Sequence, residues 1–113
     1  MMSLNQKLQK IINALNSVDG LYVRHYKRPR KEEAPFCVWQ ESDEGDSLHT
    51  NNKKTEQIIN GTIDYFTQQE LDPQIDNIQT ALDNIQTCAW RLESVQYEDD
   101  TDLIHYEWYF EVA

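Results

Sequence analysis

The amino-acid sequence predicts an α+β fold, with two helices packed on one face of a mostly antiparallel sheet of four to five strands. Apolar residues recur at helical spacing in two separate stretches, residues 4–15 and 71–85. Strand-like runs lie between and after these stretches, and the last two form a long hairpin at residues 88–112. The predicted order is therefore helix, three strands, helix and two strands, in a single domain of residues 1–113.

The first helix is predicted from Ser3 to about Val18. Its apolar side chains fall on one helical face: Leu4, Leu8, Ile11, Ile12 and Leu15. Ser3 is a favourable N-cap residue, and Asp19-Gly20 is a typical stop signal. A short strand is predicted next, at residues 21–26.

A basic run follows this strand and is predicted to be a loop, because it contains Pro29 and is followed by two glutamates. Its cations are Lys27, Arg28, Arg30 and Lys31. Two interpretations of the loop remain open. It is either a solvated connection or a docking patch for an acidic partner surface.

The second strand, residues 36–40, is almost continuously apolar. This pattern predicts cover on both faces or a place at an oligomer interface, which makes Trp39 a candidate contact residue. Residues 41–52 are polar and are predicted to form a mobile loop that orders on assembly. Candidate contacts in this loop are Asp43, Glu44, Asp46, Leu48 and His49. Its acids weakly resemble a calcium loop, but the alternating ligands and the distal glutamate are missing, so we expect no metal site.

The third strand is predicted within residues 56–67. Asn60-Gly61 is either a two-residue hairpin turn or part of one continuous strand. We favour the continuous strand, in which Gly61 marks a position where a neighbouring segment approaches closely.

The second helix is predicted from Pro73 to about Gln86, with Asp72 as N-cap and proline at the first helical position. Its apolar residues recur at helical spacing: Leu71, Ile75, Ile78, Leu82 and Ile85. The outer positions lack the sustained charge pairs of a coiled coil, so we expect this helix to pack on the sheet.

The closing hairpin has the clearest strand pattern. Its second arm alternates with a period of two, and the apolar parity contains Ile104, Tyr106, Trp108, Phe110 and Val112. In the first arm the apolar parity switches near Ser94, which predicts a bulge or a strand end there. The acid-rich residues 98–102 supply the turn.

Charge is unevenly distributed along the chain, whose formal net charge is −10. Residues 1–31 contain seven Lys or Arg and one acid, a balance of +6, whereas residues 32–113 contain three Arg or Lys and 19 acids, a balance of −16. An acidic body repels nucleic acid phosphates, so we expect no specific DNA binding. The segregation favours head-to-tail contact between copies, unless folding brings the two regions together within one chain.

Cys37 and Cys88 have apolar neighbours in predicted strands and no C-x-x-C spacing, so we expect reduced, buried thiols in a cytoplasmic protein. The first residues lack the order of a signal peptide. No apolar stretch is long enough to span a bilayer, and no membrane association is expected.

The sequence contains no signature of catalysis or cofactor binding. The histidines, His25, His49 and His105, lie on different predicted elements, and three glycines in all leave no phosphate-binding loop. We expect no catalytic residue, cofactor or metal. The acids at 99–102 are interpreted as a solvated turn. Three classes remain open: an assembly subunit, an acidic binding module that mimics nucleic acid, and a small hydrolase or metal-dependent enzyme.

Aromatic residues are abundant, with three Trp, six Tyr and three Phe. Tyr22, Tyr26, Trp39 and Tyr109 are either ordinary core and half-exposed strand residues or contacts to neighbouring copies, because interfaces favour Tyr and Trp.

The order of these segments resembles a known family. The segments are an N-terminal helix, Pro35 to Trp39 (Pro-Phe-x-Val-Trp), a polar loop, Gly61 to Thr67, Asp72-Pro73 opening a helix, Trp90-Arg91-Leu92 and Ile104 to Trp108. Over about residues 21–112 the chain is similar to small proteins of the head-to-tail junction of tailed phages and prophages. The similarity is greatest to tail terminator, or tail completion, proteins of long-tailed phages that infect Gram-positive bacteria. Head-closure proteins and other neck components share the size and part of the pattern.

The resemblance implies a noncatalytic ring, typically of six copies, at the head-to-tail junction of the virion after assembly in the host bacterial cytoplasm. The ring caps the tail tube, stops its growth and presents a surface to the head connector. The implied partners are other copies of the chain, the major tail tube protein and the head connector or closure protein. DNA passes through an acidic channel without being bound. The candidate assembly interface consists of Lys27, Arg28, Arg30, Lys31, Trp39, Asp43, Glu44, Asp46, Leu48 and His49.

Overall fold

The computed structural model describes residues 2–45, 48–50 and 53–113, with side chains described outside 48–50 and 53–55. Its helices and strands are α1 Leu4–Asn16, β1 Val23–His25, β2 Phe36–Glu44, β3 Leu48–Thr50, β4 Lys53–Glu56, β5 Ile59–Thr67, α2 Pro73–Asp83, β6 Cys88–Glu98 and β7 Leu103–Val112. One turn of 3₁₀ helix lies at Lys31–Glu33. The predicted α+β class is confirmed.

Five strands form one sheet in the order β1-β2-β5-β7-β6. β1 pairs with β2 in parallel, and the other three pairings are antiparallel. β3 and β4 form a separate two-stranded hairpin. The edges of the main sheet are therefore β1, which is three residues long, and β6, which is eleven residues long.

Both helices begin where the sequence predicts, because their caps are local. The Ser3 side chain accepts a hydrogen bond from Gln6 N, and the Gln6 side chain accepts one from Ser3 N, which completes a capping box. Asp72 caps α2 by accepting from Gln74 N at 2.9 Å. Both helices end a few residues before the predicted limits.

The main core lies between the two helices and one face of the sheet. Its fully buried members include Ile11, Leu15, Ile63, Tyr65, Ile78, Leu82, Trp108 and Phe110. Trp108 Nε1 donates to Gln79 Oε1 at 3.0 Å, so the indole remains hydrogen-bonded when buried beneath α2. The predicted packing of both helices on one face is confirmed.

Gly61 lies inside β5, so the continuous strand is confirmed and the hairpin turn is wrong. A Cβ atom at this position would lie 2.3 Å from the Phe110 ring and 2.4 Å from the Gln40 carbonyl oxygen. The absence of a side chain therefore lets the three central strands pair while Phe110 fills the space.

A chain crossover covers part of the opposite face. Because β1 is parallel to β2, residues 26–35 must return along the sheet before β2 can begin. A second buried cluster lies at this place, formed by Phe36, Val38, Phe66 and Leu103, with Ala34 packed against it. At this end the chain therefore covers its own second face, and these residues are not available to neighbouring copies.

The prediction of a single polar loop at residues 41–52 is wrong. β2 continues to Glu44, with Asp43 opposite Asn60 and Glu44 opposite Ile59 after a register shift. The backbone of β2 pairs with β5 at these positions although the side chains are polar. The polarity of residues 41–44 therefore did not predict where the strand ends. The third strand, predicted within residues 56–67, begins at Ile59 in the structure, and Glu56 is the last residue of β4.

The parity switch near Ser94 is a bulge, as predicted. The register between β6 and β7 shifts between Leu92 and Ser94. Leu92 lies opposite Trp108, and Val95 lies opposite Tyr106. Since directly opposed residues share a face, the bulge keeps the apolar residues of β6 on the helix-covered side.

Candidate assembly interface

The outer strand β6 exposes a row of apolar side chains toward the turn of the hairpin. Leu92, Val95 and Tyr97 are 45%, 49% and 57% exposed. We call these three residues the β6 row. They lie on the same face as the core, but beyond the part of β6 that the helices cover.

The end of α2 explains where cover stops. Trp90, near the start of β6, packs against the core, and its Nε1 donates to Asp83 Oδ1 at 2.8 Å. Asp83 is the last residue of α2. From Leu92 onward β6 is an edge strand with exposed apolar side chains and outward-facing backbone groups, a combination that templates pairing with another chain.

An open depression of about 530 Å³ adjoins the β6 row. Tyr97 and Ile104 supply its apolar wall, and Gln68, Glu70 and Asp102 supply its polar wall. The surface near the turn is thus apolar with an acidic rim, which fits a partner that combines apolar and basic groups.

The opposite edge of the sheet carries exposed tyrosines. Tyr22 is 38% exposed and Tyr26 is 56% exposed. The Tyr26 ring stacks on His25 at 3.7 Å between ring centroids, and His25 stacks in turn on Trp39 at 3.8 Å. Tyr26 is therefore exposed but fixed against the sheet.

Glu41 joins this stack through hydrogen bonds. Its Oε2 accepts from the Tyr26 hydroxyl at 2.5 Å, and its Oε1 lies 2.8 Å from His25 Nε2. The hydrogen bond to Glu41 raises the pKa of Tyr26. Burial alone would raise the pKa of Glu41, but the hydrogen bonds from Tyr26, a backbone amide and His25 lower it overall.

The basic loop folds against its own chain. Arg28 Nη2 lies 2.7 Å from Glu98 Oε1, and the Arg28 guanidinium lies 4.0 Å from the centre of the Phe66 ring. Arg30 lies 4.0 Å from Glu33 within the loop, and Lys27 and Lys31 are exposed. Folding therefore brings part of the basic segment to the acidic turn of the same copy. The uneven charge along the sequence does not, by itself, favour contact between copies.

His105 strengthens the contact between the loop and the hairpin. Its Nε2 lies 2.6 Å from Asp64 Oδ1 and its Nδ1 lies 3.5 Å from Glu98 Oε2. The hydrogen bond from Arg28 is the largest cause that lowers the pKa of Glu98, and Thr101 also donates to that carboxylate. The cluster therefore holds the crossover to the hairpin through Arg28.

The predicted interface residues do not form one surface. The four loop cations are exposed, with Arg28 paired as above, and Asp43 and Glu44 are exposed at the end of β2. Trp39 is 2% exposed, packs in the main core and stacks on His25, so its choice as a contact residue is wrong. The alternative for this strand, cover on both faces, is confirmed for its first four residues. Asp46 lies outside the described residues, and Leu48 and His49 are placed in β3 without described side chains.

The sequence did not predict that the β6 row is exposed. Its alternation was visible, but alternation shows which residues share a face and not whether a helix covers them. The parity switch was the available signal, because a bulge is common at sheet edges.

Among the described side chains, no group of three or more His, Cys, Asp or Glu residues is arranged so that it could hold a metal ion. Cys37 is buried and Cys88 is half-buried, less than predicted, and both are free thiols. Burial raises the pKa of both, that of Cys88 to about 11. Within the described ranges, no helix has the length and apolar character needed to cross a membrane.

Comparison with known proteins gives no assignment. No protein-family model matches the chain, and no curated protein matches it significantly.

Proposed function

We propose that this protein is a structural subunit of the head-to-tail junction of a tailed phage or prophage, and that it acts as a tail terminator. In this role several copies form a ring that caps the tail tube and joins it to the head connector. The number of copies, six, and the two partner proteins follow from the resemblance of the sequence to that family.

The observation that supports this proposal best is the β6 row. Three neighbouring apolar side chains, each close to half exposed or more, stand on an uncovered edge strand. Such a surface is costly in water, at about 25 cal/mol per Å² of apolar area, and is typical of protein contacts. A chain whose contact surface is a strand edge is suited to building repeated assemblies.

Deletion of the gene from the phage or prophage that carries it tests the proposal. We expect filled heads and separate tails of irregular, excessive length, because nothing stops tube growth or joins the two parts. Supplying the wild-type protein in trans should restore joined virions. Electron microscopy showing joined virions with tails of normal length in the deletion strain would contradict the proposal.

A second function, that of an acidic binding module, is favoured by acids on the face opposite the helices. Asp64 lies opposite Glu107 across β5 and β7, and Glu111 lies opposite Asn60. A module of this kind binds a basic host protein with strong salt sensitivity. Salt-sensitive capture of a basic protein by the wild-type chain, together with unaltered virions in the deletion strain, would favour this second function.

A further inference from the structure

The two edges of the sheet differ in charge and in their exposed apolar residues. The β6 edge presents the β6 row. Within β6, Arg91 pairs with Glu93 at 2.8 Å, and three further acids lie at the turn: Asp99, Asp100 and Asp102. The β1 edge presents Tyr22 and Tyr26 with the exposed cations Arg24 and Lys27. Exposed apolar groups are thus accompanied mainly by acids at the β6 edge and by cations at the β1 edge.

Tyr26 has the properties of a binding anchor. Its backbone φ is +72°, its ring stacks on His25, and its hydroxyl donates to Glu41. A side chain that is exposed but already fixed loses little conformational entropy on binding. Tyrosines of this kind are enriched among the residues that dominate binding energy.

We propose that copies of this chain join head to tail, with the β1 edge of one copy, anchored by Tyr26, against the β6 row of the next. This inference rests on the proposed function, since it assigns the contact between copies of the ring. β1 and β6 are opposite edges of one five-stranded sheet, so Tyr26 and the β6 row do not meet within a chain, although Arg28 in the loop after β1 reaches Glu98. A contact between two different surfaces closes into a ring by rotation.

A symmetric contact of β6 with β6 is disfavoured by the same charges. Two β6 edges would bring the turn acids Asp99, Asp100 and Asp102 of both copies together. The β1 edge supplies Arg24 and Lys27 instead. Charge therefore selects the head-to-tail arrangement.

Two variants, each with one altered edge, test the inference. The first, Arg24→Glu with Lys27→Glu, reverses the exposed cations of the β1 edge. The second, Val95→Lys with Tyr97→Lys, places lysines on the β6 edge, where exposed edge strands tolerate them. Met2→Lys is the matched control, because Met2 is 41% exposed and lies on neither edge. Circular dichroism and thermal melting establish that each variant is folded.

Native mass spectrometry of the separate and mixed variants gives the result. We expect the wild type and Met2→Lys to form the ring and each edge variant to be monomeric. An equal mixture should associate again, because each variant retains one intact edge and because the altered edges, Glu on one variant and Lys on the other, have opposite charge. Tyr26→Ala and Tyr26→Phe extend the test to the anchor: the first should abolish the ring, and the second should retain it.

The outcomes separate the two proposals. The head-to-tail assignment is overturned if either edge variant alone forms the same ring as the wild type, or if the mixture of the two stays monomeric. The proposed function is unaffected by either result. A β6 variant that is monomeric beside a β1 variant that still self-associates indicates the symmetric contact and also overturns it. A wild type that neither assembles at any concentration nor restores joined virions overturns both.

Discussion

The two ends of the β6–β7 hairpin carry the same alternation of apolar residues but differ in their cover. At the helix-covered end Trp108 and Phe110 are fully buried. At the turn end Val95 and Tyr97 are about half exposed. The same sequence pattern therefore yields core where α2 lies above the hairpin and a free surface where it does not.

Packing of a helix above an apolar strand face therefore decides whether that face becomes core or exposed surface. Burying one large apolar side chain contributes about 1.5–3 kcal/mol, and the helix-covered end receives this within the monomer. The turn end receives it only when another molecule binds. In the proposed assembly, the same hairpin thus stabilises the fold at one end and binds a second copy at the other.

Truncating a side chain to alanine should lower the free energy of unfolding far more at the helix-covered end of the hairpin than at the turn end. Trp108→Ala should lower the free energy of unfolding by about 3–5 kcal/mol, because it removes a fully buried indole and its hydrogen bond to Gln79. Val95→Ala, on the half-exposed row, should change the stability of the monomer by only about 0.5 kcal/mol. Urea unfolding of dilute protein measures both, and equal losses would remove the distinction between the two ends.

Gly61→Ala should also be costly, because it acts inside the covered region. The new Cβ would meet the Gln40 backbone and the Phe110 ring, and overpacking of this kind costs about 1–3 kcal/mol. Gly20→Ala is the control for backbone strain alone, since φ is +73° and the nearest atom lies 3.9 Å from the added Cβ. Thermal melting should show a lower melting temperature for Gly61→Ala. Near-ultraviolet circular dichroism should show altered aromatic packing in this variant and a native spectrum for Gly20→Ala. An unchanged melting temperature for Gly61→Ala would contradict the close approach of the strands.

Asp72 gives the covered region its expected pH dependence. The carboxylate accepts from Tyr65 and Thr67 at 2.7 and 2.8 Å as well as capping α2. Burial alone would raise its pKa, but these donors lower it below the ordinary 3.8. The lowered pKa in the folded state means that the stabilisation is present above pH 3.8 and is lost as pH falls through the folded value.

Asp72→Asn should therefore cost about 1.5–3 kcal/mol at neutral pH, because hydrogen bonds to a charged acceptor are lost. Its stability should also fall less steeply than that of the wild type as the pH decreases below 3.8, because the carboxylate with the lowered pKa is absent from the variant. Urea midpoints at several pH values measure this. Parallel curves for variant and wild type would show that Asp72 does not carry the dependence.

The smallest effect is expected at the surface contact between the basic loop and the hairpin turn. Arg28→Ala should cost at most about 1 kcal/mol, since exposed ion pairs contribute little. Part of that cost should disappear at high salt, and Glu98→Gln should behave alike. A loss of several kcal/mol would mean that the crossover, rather than the buried cluster below it, holds the second face together.

Sequence predicted what local chemistry decides. Ser3 and Asp72-Pro73 set the helix starts, alternation set the hairpin, and the parity switch at Ser94 set the bulge. Sequence did not predict the parallel pairing of β1 or the crossover that covers Phe66, and it did not decide between core and interface for Trp39. Those features depend on strand order and on which distant segment lies above a strand, and no local pattern encodes either.

The most direct test of the account is amide hydrogen exchange of the wild type at dilute and at assembling concentrations. Peptides covering residues 91–98 of β6 should become protected as copies associate, because the edge strand and the β6 row are then covered. Peptides from the helix-covered half of β7 should be equally protected in both states. Exchange at residues 91–98 that is the same in the two states would contradict the claim that this uncovered end of the hairpin is where the copies meet.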